Sequence, residues 1–347
     1  MSLDIKVNVI KPKRQTYGNI AERFGEDRPA SRYEEATLDL EPKENFHYRP
    51  TWDPSFEIYD EGRTKIKMED WYDLKDPRQF YYGTYTINRN KMFEGADSQL
   101  NFVENRNFLS SVDAESRDLL KKILLPLRHY EWGANMNNME ITRFGSGTSV
   151  TQACAFDAMD RLGLAQLICR IGLIFDASME ASDEDVAQKS DDASVTASCL
   201  HVTRVEWVGE DLWQPLRKAV ENSLVLKDWF ELFIAQNFVL DTLVYEFAHN
   251  HFDQFMSERG VQSASMMTEI FRTWFADRDR WVTAVIKRAV NESEENKTLI
   301  SSWIDEWAEQ AKPAIGALAD YAMPDKSGEI TTACIDELER KKSAIGL

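Results

Sequence analysis

The chain has 347 residues, 43% of them hydrophobic and 11% aromatic, which is enough apolar matter for a substantial core and excludes a disordered chain. Its 59 acidic residues against 41 lysines and arginines leave a formal charge of -18, a field that repels a phosphate backbone. The basic runs KPKR from Lys11 and ERKK from Glu339 are diluted by neighbouring acids and read as solvated ends, so no nucleic-acid partner is expected.

At the amino terminus, MSLDIKVNVIKPKRQ holds no apolar stretch of the length a signal peptide needs, so export is not expected. From residue 1 to about 95 the sequence is rich in proline, aromatics and charge, as in NFHYRPTWDP and DPRQFYYGTY, with little periodicity. It reads as an irregular arm. Its aromatic rings are too apolar for a solvated tail and must cover this chain's own helices and a partner.

From residue 96 to 347 the pattern is that of an all-α domain. Ser110 and Ser111 are candidate caps for a helix through AESRDLLKKILLPLRHYEWGANMNNME, which Pro126 is expected to kink by removing a backbone donor. A second helix is predicted over 150–175, with Thr148 and Ser149 as caps. The tract from about 176 to 205 is acidic, rich in serine and alanine and poor in large apolar residues, and reads as a surface loop.

Helical spacing then resumes through EDLWQPLRKAVENSLV, DWFELFIAQNFVLDTLVYEFAHNHFDQFMSERG and ASMMTEIFRTWFADRDRWVTAVIKRAV, with two further helices to the carboxy terminus. The most apolar stretch, 224–245, is broken by Lys227, Asp228, Glu231 and Asp241, each costly at a bilayer centre, so it predicts a buried helix and no membrane span. Strand signals are almost absent. The four cysteines, Cys154, Cys169, Cys199 and Cys334, form no C-x-x-C pair, and neither a zinc site nor a disulfide framework is expected. A reducing, cytoplasmic setting fits best.

A helical bundle can hold two metals with a lone carboxylate from each of two helices and a Glu-x-x-His from each of the others, because residues three apart share a helix face. Of the five histidines, only His47 and His249 follow a glutamate by three. Glu44 and His47 lie between prolines in the arm and are set aside; Glu246 and His249 have no matching pair. Glu131 and Asp160 stand about thirty positions apart, as do Glu246 and Asp277, roughly one helix, a turn and the facing point of the next.

In that register the imidazole positions hold Gly163 and Arg280, so both histidines are missing, and Glu246 falls in a lone-carboxylate slot. His249 and His251 then read as a helix-surface or helix-end pair. Clustered acids without metal repel, and Arg161, Arg278 and Arg280 are candidates to supply the compensating charge. The expectation is a vestigial di-iron position at Glu131, Asp160, Gly163, Glu246, Asp277 and Arg280, with no metal, cofactor or catalytic residue in this chain. Two other readings stay open: a free-standing ferritin-like metal oxidase using Glu131, Asp160, Glu246, His249 and Asp277, and a helical interaction protein.

The runs NFHYRP, DPRQFYYGTY, PLRHYEWGANMNN, MDRLGLAQ, DLWQPLRK and DWFELFIAQN, in this order, resemble the beta subunit of the oxygenase component of multicomponent phenol hydroxylases, within the bacterial soluble di-iron monooxygenases. The resemblance implies a ferritin-like, ribonucleotide-reductase-like bundle that lacks iron ligands. It further implies a catalytic alpha subunit carrying the di-iron centre, a gamma subunit, a second beta subunit, a small regulatory protein, and a reductase with FAD and an iron-sulfur cluster fed by NADH. Toluene, alkene and alkane monooxygenases share that architecture, and the acidic tract is longer than the resemblance leads one to expect.

Overall fold

The computed structural model describes residues 17–25, 28–42, 45–180 and 198–347. Two short helices open it, α1 Gly18–Phe24 and α2 Arg32–Thr37, the second closed by a capping box in which Ser31 and Glu34 satisfy each other's backbone donors. Extended chain and single turns follow to helix α3, Tyr82–Asn105. The arm therefore ends earlier than expected, because residue 95 falls inside this helix. Tyr85, Arg89, Ala96, Leu100 and Val103 recur at helical spacing and bury one face of α3.

The irregular stretch is fastened to the chain's own bundle by backbone groups that find side-chain partners far along the sequence. Asp228 accepts from Lys65 N at 2.8 Å, Asn296 brackets Lys67 through N and O at 3.0 and 2.7 Å, and Glu41 accepts from Gly147 N at 2.9 Å. Backbone donors outside a helix or sheet find partners in water or side chains, and here long-range side chains supply them.

Helix α4 Ala114–Leu124 is capped by Asp113, which accepts from Ser116 N at 2.9 Å. Ser110 and Ser111, the expected caps, instead belong to the preceding 3-10 turn and bond back to its carbonyls. Pro126 separates α4 from α5, Leu127–Phe144, rather than bending one helix. Helix α6 runs Thr148–Glu180 and α7 Cys199–Gly209, so both margins of the expected acidic loop are helical. The middle of that loop, 181–197, lies outside the described residues.

After α8, Gln214–Ser223, a continuous rod spans residues 229–258. It is assembled from α9 Trp229–Phe233, a π-helical segment Ile234–Leu240, α10 Asp241–Tyr245, a second π segment Glu246–His251 and α11 Phe252–Glu258. Helices α12 Gln262–Val290, α13 Glu294–Ala322 and α14 Ser327–Ala344 complete the chain. Helices α5 and α6 pack closely side by side, α12 lies on α3, and α14 packs on α13 and the rod. Trp213, Trp229, Trp274 and Trp281 are fully buried in the shared core. None of the described helices is long and apolar enough to cross a membrane.

Candidate functional site

Four elements, α5, α6, the rod and α12, each send charged side chains into the bundle centre. Glu131 comes from α5, Asp157 and Arg161 from α6, Asp241 from α10 and Arg278 from α12, all at most 3% exposed. Asp157 and Arg161 share a face because they are four apart on one helix. Asp241 and Tyr245 do the same on the short α-helical step between the two π segments, whose wider turns also bring Gln236 and Asn237 inward.

Arg161 holds the middle. Its Nη1 donates to Glu131 Oε2 at 2.8 Å, its Nε to Asp157 Oδ2 at 3.4 Å and its Nη2 to Asp241. Arg278 closes the other side through Asp157 Oδ1 at 2.8 Å, Asp241 Oδ2 at 2.8 Å and the Asn237 carbonyl at 2.8 Å. Tyr245 donates to Glu131 Oε1 at 2.7 Å, and Tyr130 and Gln236 donate to Asp241 Oδ1 at 2.5 and 2.9 Å. Asn138 and Asn237 exchange amide bonds at 3.0 Å behind them.

Burial raises the Glu131 carboxyl, with the guanidinium of Arg161 opposing. Burial would raise Asp157 too, but Arg278 and Arg161 outweigh it and hold that carboxyl below its ordinary range. Both guanidiniums are held protonated by the surrounding carboxylates against the cost of burial.

A second network adjoins the first. Asp160 accepts from Arg89 Nε at 2.7 Å, Trp274 Nε1 at 2.8 Å and Tyr85 Oη at 2.9 Å. Asp277 accepts from Arg89 at 2.9 Å and from Arg78, of the arm, at 3.3 Å.

The geometry corrects the register read from spacing. Glu131 belongs to the centre, whereas Asp160 and Asp277 belong to the neighbouring network and Arg280 is solvent-exposed. Gly163 faces helix α3: a Cβ there would stand 2.7 Å from the Phe93 ring, so an imidazole at this position would not point inward. Glu246 lies on the outer side of the rod with Asn250 at 2.5 Å and His251 at 3.5 Å. Of the three arginines expected to compensate the acids, Arg161 and Arg278 do so in this geometry and Arg280 does not. The centre's Asp157, Asp241 and Tyr245 were absent from the expected set.

A di-iron centre does not fit these residues. Every carboxylate oxygen of Glu131, Asp157 and Asp241 already accepts from a guanidinium, phenol or amide, and two guanidiniums occupy the space between them. Among the described residues no three His, Cys, Asp or Glu side chains are arranged to hold a metal ion.

His249 is neither a surface residue nor half of a pair with Glu246. Its ring stacks 4.7 Å from Phe271 and meets Tyr245 at a tilt 4.9 Å away, and Nδ1 has no protein partner. Burial, reinforced by the positive Arg272, pulls its pKa down to about 3. An unfolded histidine titrates at about 6.5, so below that pH the unfolded chain binds a proton that the folded chain refuses. Stability is lost as pH falls from there towards the folded value. The expected loss attributable to His249 is about 2 kcal/mol between pH 7 and 5, removed in His249→Phe. Denaturant midpoints of both proteins at the two pH values check it.

Comparison with known proteins gives a consistent result. The family described as Methane/Phenol/Alkene Hydroxylase matches residues 52–293. The chain is 42% identical over 322 residues to the phenol 2-monooxygenase oxygenase component DmpL of Pseudomonas sp. strain CF600, covering 93% of this chain and 92% of that one. A more distant relative is the beta subunit of the toluene-4-monooxygenase hydroxylase component of Ectopseudomonas mendocina, 21% identical over 263 residues and covering 75% of each chain. The crystal structure of xenon-pressurized phenol hydroxylase from Pseudomonas sp. OX1 superposes with a TM-score of 0.84 at 41% identity, covering 97% of this chain and 98% of that one. The chain belongs to the methane/phenol/alkene hydroxylase family.

Proposed function

We infer that this chain is the non-catalytic beta subunit of the oxygenase component of a soluble di-iron monooxygenase of the phenol hydroxylase type. The observation that carries the reading is the guanidinium pair, Arg161 and Arg278, lying among the acids at the bundle centre. Such a bundle keeps the shape of a metal-binding fold while its own acids are spent on ion pairs, so its contribution is scaffold. The names of the relatives support the subunit role, since they are an oxygenase component and a hydroxylase beta subunit.

In this reading the di-iron centre belongs to a partner alpha subunit, a gamma subunit and a second beta subunit complete the assembly, and a small regulatory protein acts on it. Electrons come from NADH through a reductase carrying FAD and an iron-sulfur cluster. This chain alone is inactive, and the complex works in the cytoplasm. A free-standing metal oxidase is disfavoured because Glu246 and His249 do not meet and Glu131 is already bonded to Arg161 and Tyr245.

An apolar outer face supports association. Trp132, Met136 and Met139 on α5 and Met159 and Leu162 on the adjoining α6 are exposed, an unusual density of large apolar side chains for solvent. Replacing Trp132 and Met136 by glutamate is expected to weaken copurification with the alpha subunit by about 2 kcal/mol or more, while leaving the helical circular dichroism intact. Retained stoichiometric copurification at limiting concentration would count against this face. The reading as a whole is tested by reconstitution: phenol hydroxylation should require the alpha subunit together with this chain, and neither alone should turn over.

A further inference from the structure

The acids of the bundle centre are held in place by groups other than Arg161. Glu131 Oε1 accepts from Tyr245 at 2.7 Å, Asp157 Oδ1 from Arg278 at 2.8 Å, and Asp241 Oδ1 from Tyr130 and Gln236 at 2.5 and 2.9 Å. The opposite oxygens, Glu131 Oε2, Asp157 Oδ2 and Asp241 Oδ2, all turn to the Arg161 guanidinium, and Asp241 Oδ2 is shared with Arg278. One oxygen from each of α5, α6 and α10 thus converges on a single buried cation. Arg161 is otherwise in contact with Tyr245 Oη at 3.5 Å and lies over the Tyr245 and Trp274 rings at 5.6 and 4.6 Å.

Carboxylates fixed from behind, with their facing oxygens aimed at one point, have the outer support that a metal site needs. The three facing donors are all oxygens, a set that suits a hard divalent ion such as manganese or magnesium. Charge points the same way. Three carboxylates against two guanidiniums leave one negative charge in excess at full burial, and a divalent ion in place of Arg161 brings the sum to zero.

We propose that Arg161 fills a divalent-cation site, its guanidinium standing where a hard metal ion would bind the three facing oxygens once the side chain is withdrawn. Arg278 does not play this part: it meets Asp157 and Asp241 but not Glu131, and its other bonds go to the Asn237 carbonyl and side chain. In the native chain a tethered cation closes the site, so the bundle folds without drawing on a supply of metal. The site is made of this chain's own residues, and its chemistry does not depend on the subunit role.

The test uses the full chain carrying Arg161→Ala, refolded with and without manganous ion at matched ionic strength. Manganese retained after gel filtration is counted by electron paramagnetic resonance, and thermal unfolding follows stability. The variant should keep one manganese per chain beyond what the native chain keeps, and its melting temperature should rise by about 5 °C or more with the ion, while the native chain melts unchanged. Arg161→Ser, which leaves a hydroxyl in the same space, should behave alike, and adding Glu131→Gln to either should abolish the extra uptake. The proposal is overturned if neither variant gains manganese and stability, if neither folds even with the ion, or if the uptake survives Glu131→Gln. Such a failure would leave the subunit role standing, since reconstitution tests that separately.

Discussion

Arg161→Leu is expected to destabilise the chain by about 3–5 kcal/mol, the usual cost of stripping one partner from a buried charge network. The substitution conserves bulk but leaves Glu131, Asp157 and Asp241 facing one another with Arg278 alone to balance them. Adding Glu131→Gln removes one of the stranded charges and should recover part of the loss, so the two substitutions are strongly non-additive. Thermal or urea unfolding of the complete cycle measures this. Additive losses would mean that Arg161 and Glu131 act independently despite the 2.8 Å contact between them.

Trp274→Ala should cost a similar amount, about 3–5 kcal/mol, for a different reason. The indole is fully buried, packs against Tyr245, carries two guanidiniums over its face and donates from Nε1 to Asp160 at 2.8 Å. Alanine opens a cavity and deletes the hydrogen bond together. Trp274→Phe keeps most of the ring volume and should lose about 1–3 kcal/mol, chiefly from the unmade bond to Asp160. If the two variants proved equally stable, the indole would not be filling the space between α6, the rod and α12.

The helical architecture was legible because amphipathic spacing over long stretches is a strong signal, and the di-metal grammar drew its candidates from α5, α6, the rod and α12, the elements whose charged side chains meet at the bundle centre. The register within the rod was not legible. Periodicity assumes an α-helical turn throughout, and the π segments Ile234–Leu240 and Glu246–His251 break that assumption, so Glu246 was placed inward when Asp241 and Tyr245 are. Asp241 had been noticed only as a residue too costly for a membrane centre, which was the same clue read for another purpose: a lone acid in an apolar run needs a buried partner.

On α6 the ambiguity was one helical turn. Asp160 and Asp157 both face interior groups, but only the second shares its face with Arg161 at a spacing of four. That pair, an acid and an arginine inside an otherwise apolar helix, is the sequence feature that marks the centre. On α12 the same error gave Arg280 a former ligand position beside Asp277, although only Arg278, two positions away and on the opposite face, reaches the centre. The short helices of the arm and its long-range backbone bonds were beyond reach, since their partners, Asp228 and Asn296, are distant in sequence.

Iron bound by this chain itself is the most direct measure. Purified free of alpha subunit and titrated anaerobically with ferrous ion, it should retain no stoichiometric iron after gel filtration, and Glu131→Gln should change nothing in the metal content. Two irons per chain that are lost on Glu131→Gln would contradict the assignment of the bundle centre to an arginine-filled scaffold.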